Sequence, residues 1–194
     1  LSFVPLNDNC EISQLTLTNG SSEDKKLSVF SYVEWCLWNA DDDMKNFQRN
    51  LSTGEVEVQD STIYHKTEYR ERRNHYAIYS VNTKIDGFDT SRDAFLGAYR
   101  GADSPEAVEN GKCTNSMASG WSPIASHQIN VDLAAGETKT FIFVLGYIEN
   151  PEDEKWESYG VINKTRAKEM LAKYQTDAQV DEAFAALQAY WKQL

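Results

Sequence analysis

The sequence is poor in cysteine and contains no long apolar run. Its three cysteines, Cys10, Cys36 and Cys113, form no CxxC pair, which excludes a zinc ribbon or a redox motif. An odd number of widely spaced cysteines suits reduced thiols in the cytoplasm. No segment approaches the roughly 18 consecutive apolar residues of a membrane helix. We therefore expect a cytoplasmic protein with no membrane partner, no disulfide bond and no structural metal.

Basic residues are also in the minority. The 194-residue chain has 30 Asp and Glu against 19 Lys and Arg, which gives a net charge of −11. A charge of that sign repels the phosphate backbone of nucleic acids and anionic lipid surfaces. We therefore expect no nucleic-acid partner and interpret the acidic excess as a well-solvated surface.

The beginning of the sequence lacks two common features. Residues 1–6 contain no initiator Met, and they have neither the basic segment nor the small-residue cleavage site of a signal peptide. These residues resemble the middle of a β-strand rather than its beginning. We interpret this end as a boundary left by truncation or proteolysis.

Alternating apolar residues predict β-strands through the first two thirds of the chain. The predicted strands cover residues 12–18, 27–38, 55–58, 76–81, 129–133 and 141–147. Residues 27–38 are apolar or aromatic on both faces, which predicts a central strand covered on both sides. Strands joined by turns, without helices between them, favour a mainly β fold, a large antiparallel β-sandwich.

The carboxyl-terminal part changes to helical periodicity. Ala167, Met170, Leu171 and Tyr174 follow the spacing of one helix face. Asn163 is the predicted N-cap of this helix. A second helix is predicted from Thr176-Asp177 to the last residue, and its apolar stripe must pack on the sandwich or on a further domain.

Residues 39–50 are the most unusual stretch of the chain. The run Asp41-Asp42-Asp43 suggests calcium, but the Gly and the trailing Glu of an EF-hand loop are missing, so no metal is predicted. Asn, Gln and Arg side chains beside aromatic residues suit the recognition of sugars, because they hydrogen-bond hydroxyl groups while a ring stacks on the pyranose. A loop that satisfies only its own backbone groups is the alternative.

Residues 65–75 form a basic cluster in an acidic protein. Two interpretations of Arg70, Arg72 and Arg73 are open: they bind a phosphate group, or they pair with acidic residues nearby or across a subunit interface. The three histidines have no metal-ligand spacing, and no serine sits in a nucleophile elbow. No catalytic carboxylate pair stands out either, so the residues predict no catalytic group in this chain.

Several stretches resemble inverting glycoside phosphorylases of the cellobiose phosphorylase type. These stretches are residues 46–58, 64–75, 120–124, 145–147 and 150–156. They occur in order along essentially the whole chain, and each is compositionally unusual. The resemblance implies a galactose-mutarotase-like super-sandwich, then a two-helix linker, then an (α/α)6 catalytic barrel.

This resemblance also implies a division of the chain. Residues 1–158 would form the β-sandwich domain, and residues 159–194 the helical linker towards a barrel that the sequence does not include. The family's general acid and phosphate-binding groups lie in that barrel. The 194-residue segment is therefore expected to be inactive alone.

The implied reaction is the phosphorolysis of cellobiose, with inversion, to α-glucose 1-phosphate and glucose. Inorganic phosphate is a co-substrate, and no cofactor is needed. Members of the family are homodimers in which a sandwich loop of one subunit reaches towards the active site of the other. The matching residues are Asn39, Asn46, Gln48 and Arg49, which would hydrogen-bond a glucose or cellobiose-type sugar at this shared site.

Two alternatives remain open at this point. One is a free-standing carbohydrate-binding module, and the other is a dimerisation domain whose loop at 39–50 touches no sugar. The apolar stripe of the last helix argues against a self-sufficient module, because such a stripe needs a surface to pack against.

Overall fold

The computed structural model describes residues 1–35, 54–66, 74–120 and 123–193. The strands are β1 (Ser2–Phe3), β2 (Cys10–Thr18), β3 (Lys25–Phe30), β4 (Val33–Glu34), β5 (Gly54–Gln59), β6 (Thr62–His65), β7 (His75–Val81), β8 (Gly87–Ser91), β9 (Ser119–Gly120), β10 (Pro123–Leu133), β11 (Thr138–Glu149), β12 (Trp156–Ser158) and β13 (Val161–Ile162). The α-helices are α1 (Arg92–Leu96), α2 (Glu106–Glu109), α3 (Thr165–Leu171) and α4 (Asp177–Trp191). Short 3-10 turns occur at Glu152–Glu154 and Ala172–Tyr174.

Two antiparallel sheets form the centre of the described chain. The larger sheet has the strand order β1-β2-β11-β7-β6-β5-β9. In the smaller sheet, β3 and β4 follow one another along one edge of β10, and β8 pairs with the other edge. The predicted mainly β, antiparallel sandwich is therefore confirmed.

The space between the two sheets holds one hydrophobic core. Its buried residues come from alternating positions of the facing strands: Ile63, Ala77, Tyr79, Val81, Phe141 and Phe143 from the larger sheet, and Ala125, Ile129, Val131 and Leu133 from β10. His127 lies in the same core, fully buried, with its ring 4.9 Å from the Tyr79 ring. Burial lowers the pKa of His127 to about 3, so its imidazole is neutral in the folded protein.

The opposite face of the larger sheet is covered by the carboxyl-terminal helices. Met170 and Leu171 of α3 and Val180 of α4 pack against the buried strand residues, including Ile78 and Val144. This arrangement makes the larger sheet the middle layer, with apolar side chains on both of its faces. Its central strands consequently read as nearly continuous hydrophobic runs, as expected for a sheet buried on both sides.

A glycine on β11 sets how closely α3 approaches the sheet. A Cβ atom at Gly146 would collide with the Met170 side chain and would lie 3.0 Å from Cγ1 of Ile78. A side chain at this position would therefore require Met170 and Ile78 to shift.

A third apolar cluster lies on the outer face of the smaller sheet. Phe95 and Leu96 of α1, Ala107 of α2 and Cys113 pack on Ile124 of β10. Asp89, fully buried, holds the chain that follows α2, because its carboxylate accepts hydrogen bonds from the backbone N–H and hydroxyl groups of Thr114 and Ser116. The described residues between β8 and β10 thus form a covering layer with its own apolar cluster.

Most predicted strands agree with the structure, and one does not. The predicted strand at residues 27–38 is divided into β3 and β4 over its described part, and Leu27 is 44% exposed. β3 pairs with β10 on one side, at the edge of the smaller sheet. The prediction of one central strand was therefore wrong, but the prediction that both faces are covered is confirmed for its second half, where Val29 and Val33 pack on the inner cluster and Phe30 and Tyr32 on the outer one.

The carboxyl-terminal helices follow the predicted periodicity. Thr176 caps α4 through a capping box with Gln179, as the predicted helix start requires. Asn163 is one residue too early to be the N-cap of α3, although its Oδ1 accepts a hydrogen bond from the N–H of Thr165. The stripe of α4 packs on the sandwich through Ala183, Phe184 and Leu187.

Two further predictions concern the chain as a whole. In the part of the chain that the structure describes, no helix combines the length and the apolar character needed to cross a membrane. The division into a sandwich at 1–158 and a linker at 159–194 stays a prediction.

Replacing Thr176 by Ala should lower the free energy of unfolding of the chain by about 1 kcal/mol, because the Oγ1 atom that accepts from the Gln179 N–H is lost. Thr176→Ser keeps an oxygen at the same place and is the matched control. Urea unfolding followed by circular dichroism measures both. Equal losses in the two variants would contradict the capping role.

The burial of His127 makes stability depend on pH. Its pKa is lowered from the ordinary 6.5 to about 3, so the unfolded chain takes up a proton between these values and the folded chain does not. Stability is therefore full above pH 6.5 and falls as the pH decreases towards 3.

His127→Phe keeps a ring in the core and removes this titration. Between pH 6 and pH 4 the free energy of unfolding of the variant should fall less steeply than that of the wild type, by about 1 kcal/mol per pH unit. Urea titrations at several pH values measure the two slopes. Parallel slopes would show that His127 does not titrate on unfolding.

Candidate functional site

An open groove lies at one end of the sandwich, where β2 and β7 begin and β11 ends. It has a volume of about 440 Å³. We call it the end groove. Val4, Ala77 and Leu145 supply its apolar lining, Trp35 and Tyr147 its aromatic lining, and Asp8, Glu11 and Glu34 its carboxylates.

Among the described residues, the two sheets differ in extent at the end groove. The pairing of β11 with β7 continues to Glu149, whereas the described part of the smaller sheet ends with β4 (Val33–Glu34). Along β11 the side chains on the inner face pass from buried at Phe143 to half-buried at Leu145 and Tyr147. The described residues therefore leave this part of the inner face partly uncovered.

Trp35 forms the deepest aromatic part of the end groove. Its side chain is 8% exposed, and its ring lies 5.4 Å from the ring of His65. Among the described residues no hydrogen-bond acceptor contacts its Nε1 atom. An indole N–H buried without a partner costs free energy.

Tyr147 forms the other aromatic part. Its hydroxyl group lies 3.0 Å from Nδ1 of His75, and the two rings are 5.1 Å apart. This bond fixes the phenol ring at the end of β11 and leaves it half-buried. The end groove thus has two aromatic side chains whose positions are set by neighbouring histidines.

Two of the three carboxylates have a cation beside them. Glu34 accepts hydrogen bonds from Nε of Arg92 at 3.0 Å and from the hydroxyl group of Tyr32 at 2.5 Å. Burial and the bond to Glu34 raise the pKa of Tyr32, so the phenol stays protonated and acts as a donor.

Asp8 is held in a similar way at the opposite side. It accepts from Nζ of Lys173 at 2.8 Å and from the hydroxyl group of Tyr174 at 2.6 Å. Burial, with the nearby charge of Asp8, raises the pKa of the Cys10 thiol to about 12, so Cys10 is not a nucleophile.

The end groove is suited to binding rather than to proton transfer. Burial lowers the pKa of His65, behind Trp35, to about 4, and its imidazole is therefore neutral near pH 7. Glu34 and Asp8 accept hydrogen bonds from basic and phenolic groups. Aromatic rings and carboxylates are groups that stack on and hydrogen-bond a ligand.

A buried ion cluster lies on the other face of the larger sheet, beside the same strands. Glu57 of β5 accepts from Nζ of Lys66 at 3.1 Å and from Nζ of Lys164 at 2.5 Å, and both lysines are buried. Burial alone would raise the pKa of Glu57, yet the bonds from Lys164, from the Ile162 N–H and from Lys66 hold it below the ordinary value. The cluster ties the β5–β6 hairpin to the segment that leads into α3.

The four residues predicted to bind sugar, Asn39, Asn46, Gln48 and Arg49, lie outside the described residues. The described residues on either side of them converge on His65. Trp35 contacts the His65 ring, and Val56 of β5 is paired with His65 across the sheet. The described residues before and after this stretch therefore both lie beside His65.

The arginines of the basic cluster, Arg70, Arg72 and Arg73, also lie outside the described residues. Lys66 precedes them and Asn74 follows them, at the ends of strands that pair with each other. The described residues that border the two unusual stretches, 39–50 and 65–75, therefore lie at the same end of the larger sheet.

The sequence patterns did not identify several of the residues that form the end groove. Glu11 stands on the same face of β2 as Leu15 and Leu17, so a carboxylate interrupts an apolar alternation. That interruption was the available signal. No sequence pattern identifies Glu34 or Tyr147, because their positions in the groove depend on how the two sheets are arranged.

Comparison with known proteins supplies the family. Residues 1–177 match the family described as glycosyl hydrolase 94, supersandwich domain. The chain is 30% identical to an N,N'-diacetylchitobiose phosphorylase of Vibrio proteolyticus over 97% of this chain and 22% of that protein. It is 26% identical to a solabiose phosphorylase of Paenibacillus borealis, over 96% of this chain and 23% of that protein.

A solved structure described as a putative kojibiose phosphorylase from human microbiome aligns with 98% of the chain and 20% of its own length, at 11% identity. Its TM-score of 0.33 is too low to establish a shared fold. The chain spans about a fifth of the length of the curated relatives it matches, 22% and 23% of the two above. Because the family match covers 177 of the 194 residues, the chain belongs to the glycosyl hydrolase 94 family, as its supersandwich domain.

Proposed function

We propose that this chain is the amino-terminal part of an inverting disaccharide phosphorylase that cleaves cellobiose with inorganic phosphate. The products are α-glucose 1-phosphate and glucose. The observation that carries the proposal is the match of residues 1–177 to the supersandwich domain of the family. Relatives named as disaccharide phosphorylases support the reaction class.

The choice of cellobiose among disaccharides rests on narrower support. Residues 46–58 and 64–75 resemble the cellobiose phosphorylase type. The curated relatives carry other names, N,N'-diacetylchitobiose phosphorylase and solabiose phosphorylase. The substrate is therefore the part of the proposal that most needs an experiment.

Inverting phosphorolysis requires one general acid and an attacking phosphate. The acid protonates the leaving oxygen while phosphate attacks the opposite face of the sugar ring. Phosphate is already an anion, so no second carboxylate is needed as a base and no cofactor takes part. His65 and His127 are buried with lowered pKa values of about 4 and about 3, which does not suit a general acid near pH 7. The proposed acid belongs to a catalytic domain beyond this segment.

The proposed role of the chain is to complete the site for the acceptor sugar and to contribute contacts in a homodimer. Asn39, Asn46, Gln48 and Arg49 would hydrogen-bond the sugar hydroxyls of a partner subunit's site. The anchoring of the flanking residues at His65 supports this, because a loop held at both ends by a buried strand is positioned at low entropic cost. The protein would act in the cytoplasm.

The substrate is tested with the full-length protein that contains this segment. In the synthetic direction, phosphate release from α-glucose 1-phosphate should be fastest with glucose as the acceptor and slower with N-acetylglucosamine. A colorimetric phosphate assay measures both rates. Preference for N-acetylglucosamine would place the protein with the chitobiose branch, and no release with any acceptor would favour a binding or dimerisation module.

The loop role is tested by Asn46→Ala and Arg49→Ala in the same protein. Each should raise the KM for the acceptor by about tenfold, since each removes one or two hydrogen bonds to the sugar, and should leave the KM for glucose 1-phosphate nearly unchanged. Lys26→Ala is the control, because Lys26 is exposed in β3 at the far end of the sandwich. Unchanged acceptor KM in both loop variants would refute the role.

A further inference from the structure

The layer on the outer face of the smaller sheet consists of residues 92–118, and we call it the outer cap. Its last part, residues 110–118, is the return segment. We propose that the outer cap opens as a unit while the two sheets stay folded, and that Asp89 is the side chain that holds it closed. Such an opening is independent of the proposed phosphorolysis, because it involves only the cap and the strands beneath it.

The outer cap has an apolar core of its own. Five buried residues form it, four from the cap and one from β10: Phe95, Leu96, Ala107, Cys113 and Ile124. None of the five belongs to the core between the two sheets. Loss of the cap contacts would therefore leave the inter-sheet core complete. Regions with few apolar contacts of their own open at a lower free energy than the whole domain.

The helices of the outer cap are too short to be stable alone. α1 has five residues and α2 has four. Isolated helices of fewer than about 12 residues are marginal in water. Neither N-cap residue of these two helices makes a side-chain hydrogen bond that caps the first turn. The cap therefore keeps its structure only while it is docked on the sheet.

Side chains, rather than a β-ladder, hold the return segment on the sheet. Among the described residues, one backbone–backbone hydrogen bond joins this segment to a strand, from the N–H of Thr90 to the carbonyl of Ser116 at 3.0 Å. Gln128 of β10 adds two bonds. Its Oε1 accepts from the Cys113 N–H at 2.8 Å, and its Nε2 donates to the Gly111 carbonyl at 3.1 Å. A few side chains thus decide whether the return segment stays docked.

Asp89 supplies the largest set of these bonds. Its carboxylate is fully buried on β8 and accepts from the N–H and the hydroxyl group of both Thr114 and Ser116, at 2.6 to 3.2 Å. Hydrogen bonds to a carboxylate are roughly twice as strong as those between neutral groups. Weakening this one side chain would therefore release two residues of the return segment at once.

Two buried thiols report on the two parts of the molecule. Cys113 lies beneath the outer cap and is 1% exposed, whereas Cys10 lies in the core beneath the carboxyl-terminal helices and is 6% exposed. Burial raises the pKa of both thiols to about 12, so neither is chemically the more reactive. A difference between their labelling rates therefore reports a difference in how often each is uncovered.

The experiment treats the folded full-length protein with N-ethylmaleimide and quantifies each labelled cysteine by mass spectrometry of its proteolytic peptide. Cys113 should be labelled about ten times faster than Cys10 or more, because the cap opens without the sandwich. Asp89→Asn should raise the Cys113 rate about tenfold further, since an amide replaces a charge-assisted acceptor. The Cys10 rate should stay at the wild-type value.

Asp132→Asn is the matched control. It makes the same chemical change on β10, where the Asp132 side chain is exposed and its carboxylate lies 3.7 Å from Lys26. Both cysteines should then be labelled at the wild-type rates. Hydrogen exchange of the wild type tests the opening without any substitution. The N–H groups of Cys113, Thr114 and Ser116 should exchange at one common rate, faster than those of β11.

Four outcomes would overturn the inference. Equal labelling rates of Cys113 and Cys10 in the wild type would mean that the cap opens only when the whole domain unfolds. Exchange of the return segment at the rate of β11 would mean the same. An equal rise of both labelling rates in Asp89→Asn would show general destabilisation. An unchanged Cys113 rate in that variant would show that Asp89 does not hold the cap closed.

Discussion

The structure depends on one constraint, the burial of the larger sheet on both of its faces. Residues of β7 alternate between Tyr79, which faces the smaller sheet, and Ile78, which faces the helices. Apolar burial is the dominant favourable contribution to folding, and here two separate cores share the same backbone. The sandwich and the carboxyl-terminal helices are therefore stabilised together, since neither core is complete without these central strands.

The end groove follows from the same constraint. Beyond the described part of the smaller sheet, which ends at Glu34 and Trp35, the inner face of β11 continues, and its side chains at 145 and 147 are half-buried. Function is often found where a rigid scaffold ends and connecting segments begin. In this protein Trp35 and Lys66, the last described residues before residues 36–53 and 67–73, both lie at that end, so the groove and the proposed acceptor loop share one scaffold without sharing residues.

Much of the fold could be predicted from the sequence, and the candidate site could not. Period-two alternation located β2, β7 and β11, and helical spacing with Thr176 located α4, because burial on one side of an element leaves a regular pattern. The pattern failed at residues 27–38, where the two apolar faces serve different clusters and no long central strand exists. Glu11, Glu34 and Tyr147 meet only through the packing of distant strands, which one sequence does not encode locally.

Gly146 shows how closely the two sides of β11 are linked. Leu145 and Tyr147 line the end groove, while the residue between them touches Met170 of α3. A mutation that adds one carbon at position 146 would require the end of the Met170 side chain to move and the Ile78 side chain to shift slightly. Substitutions at 145 and 147 change the groove lining directly, whereas a substitution at 146 acts first on the packing between β11 and α3.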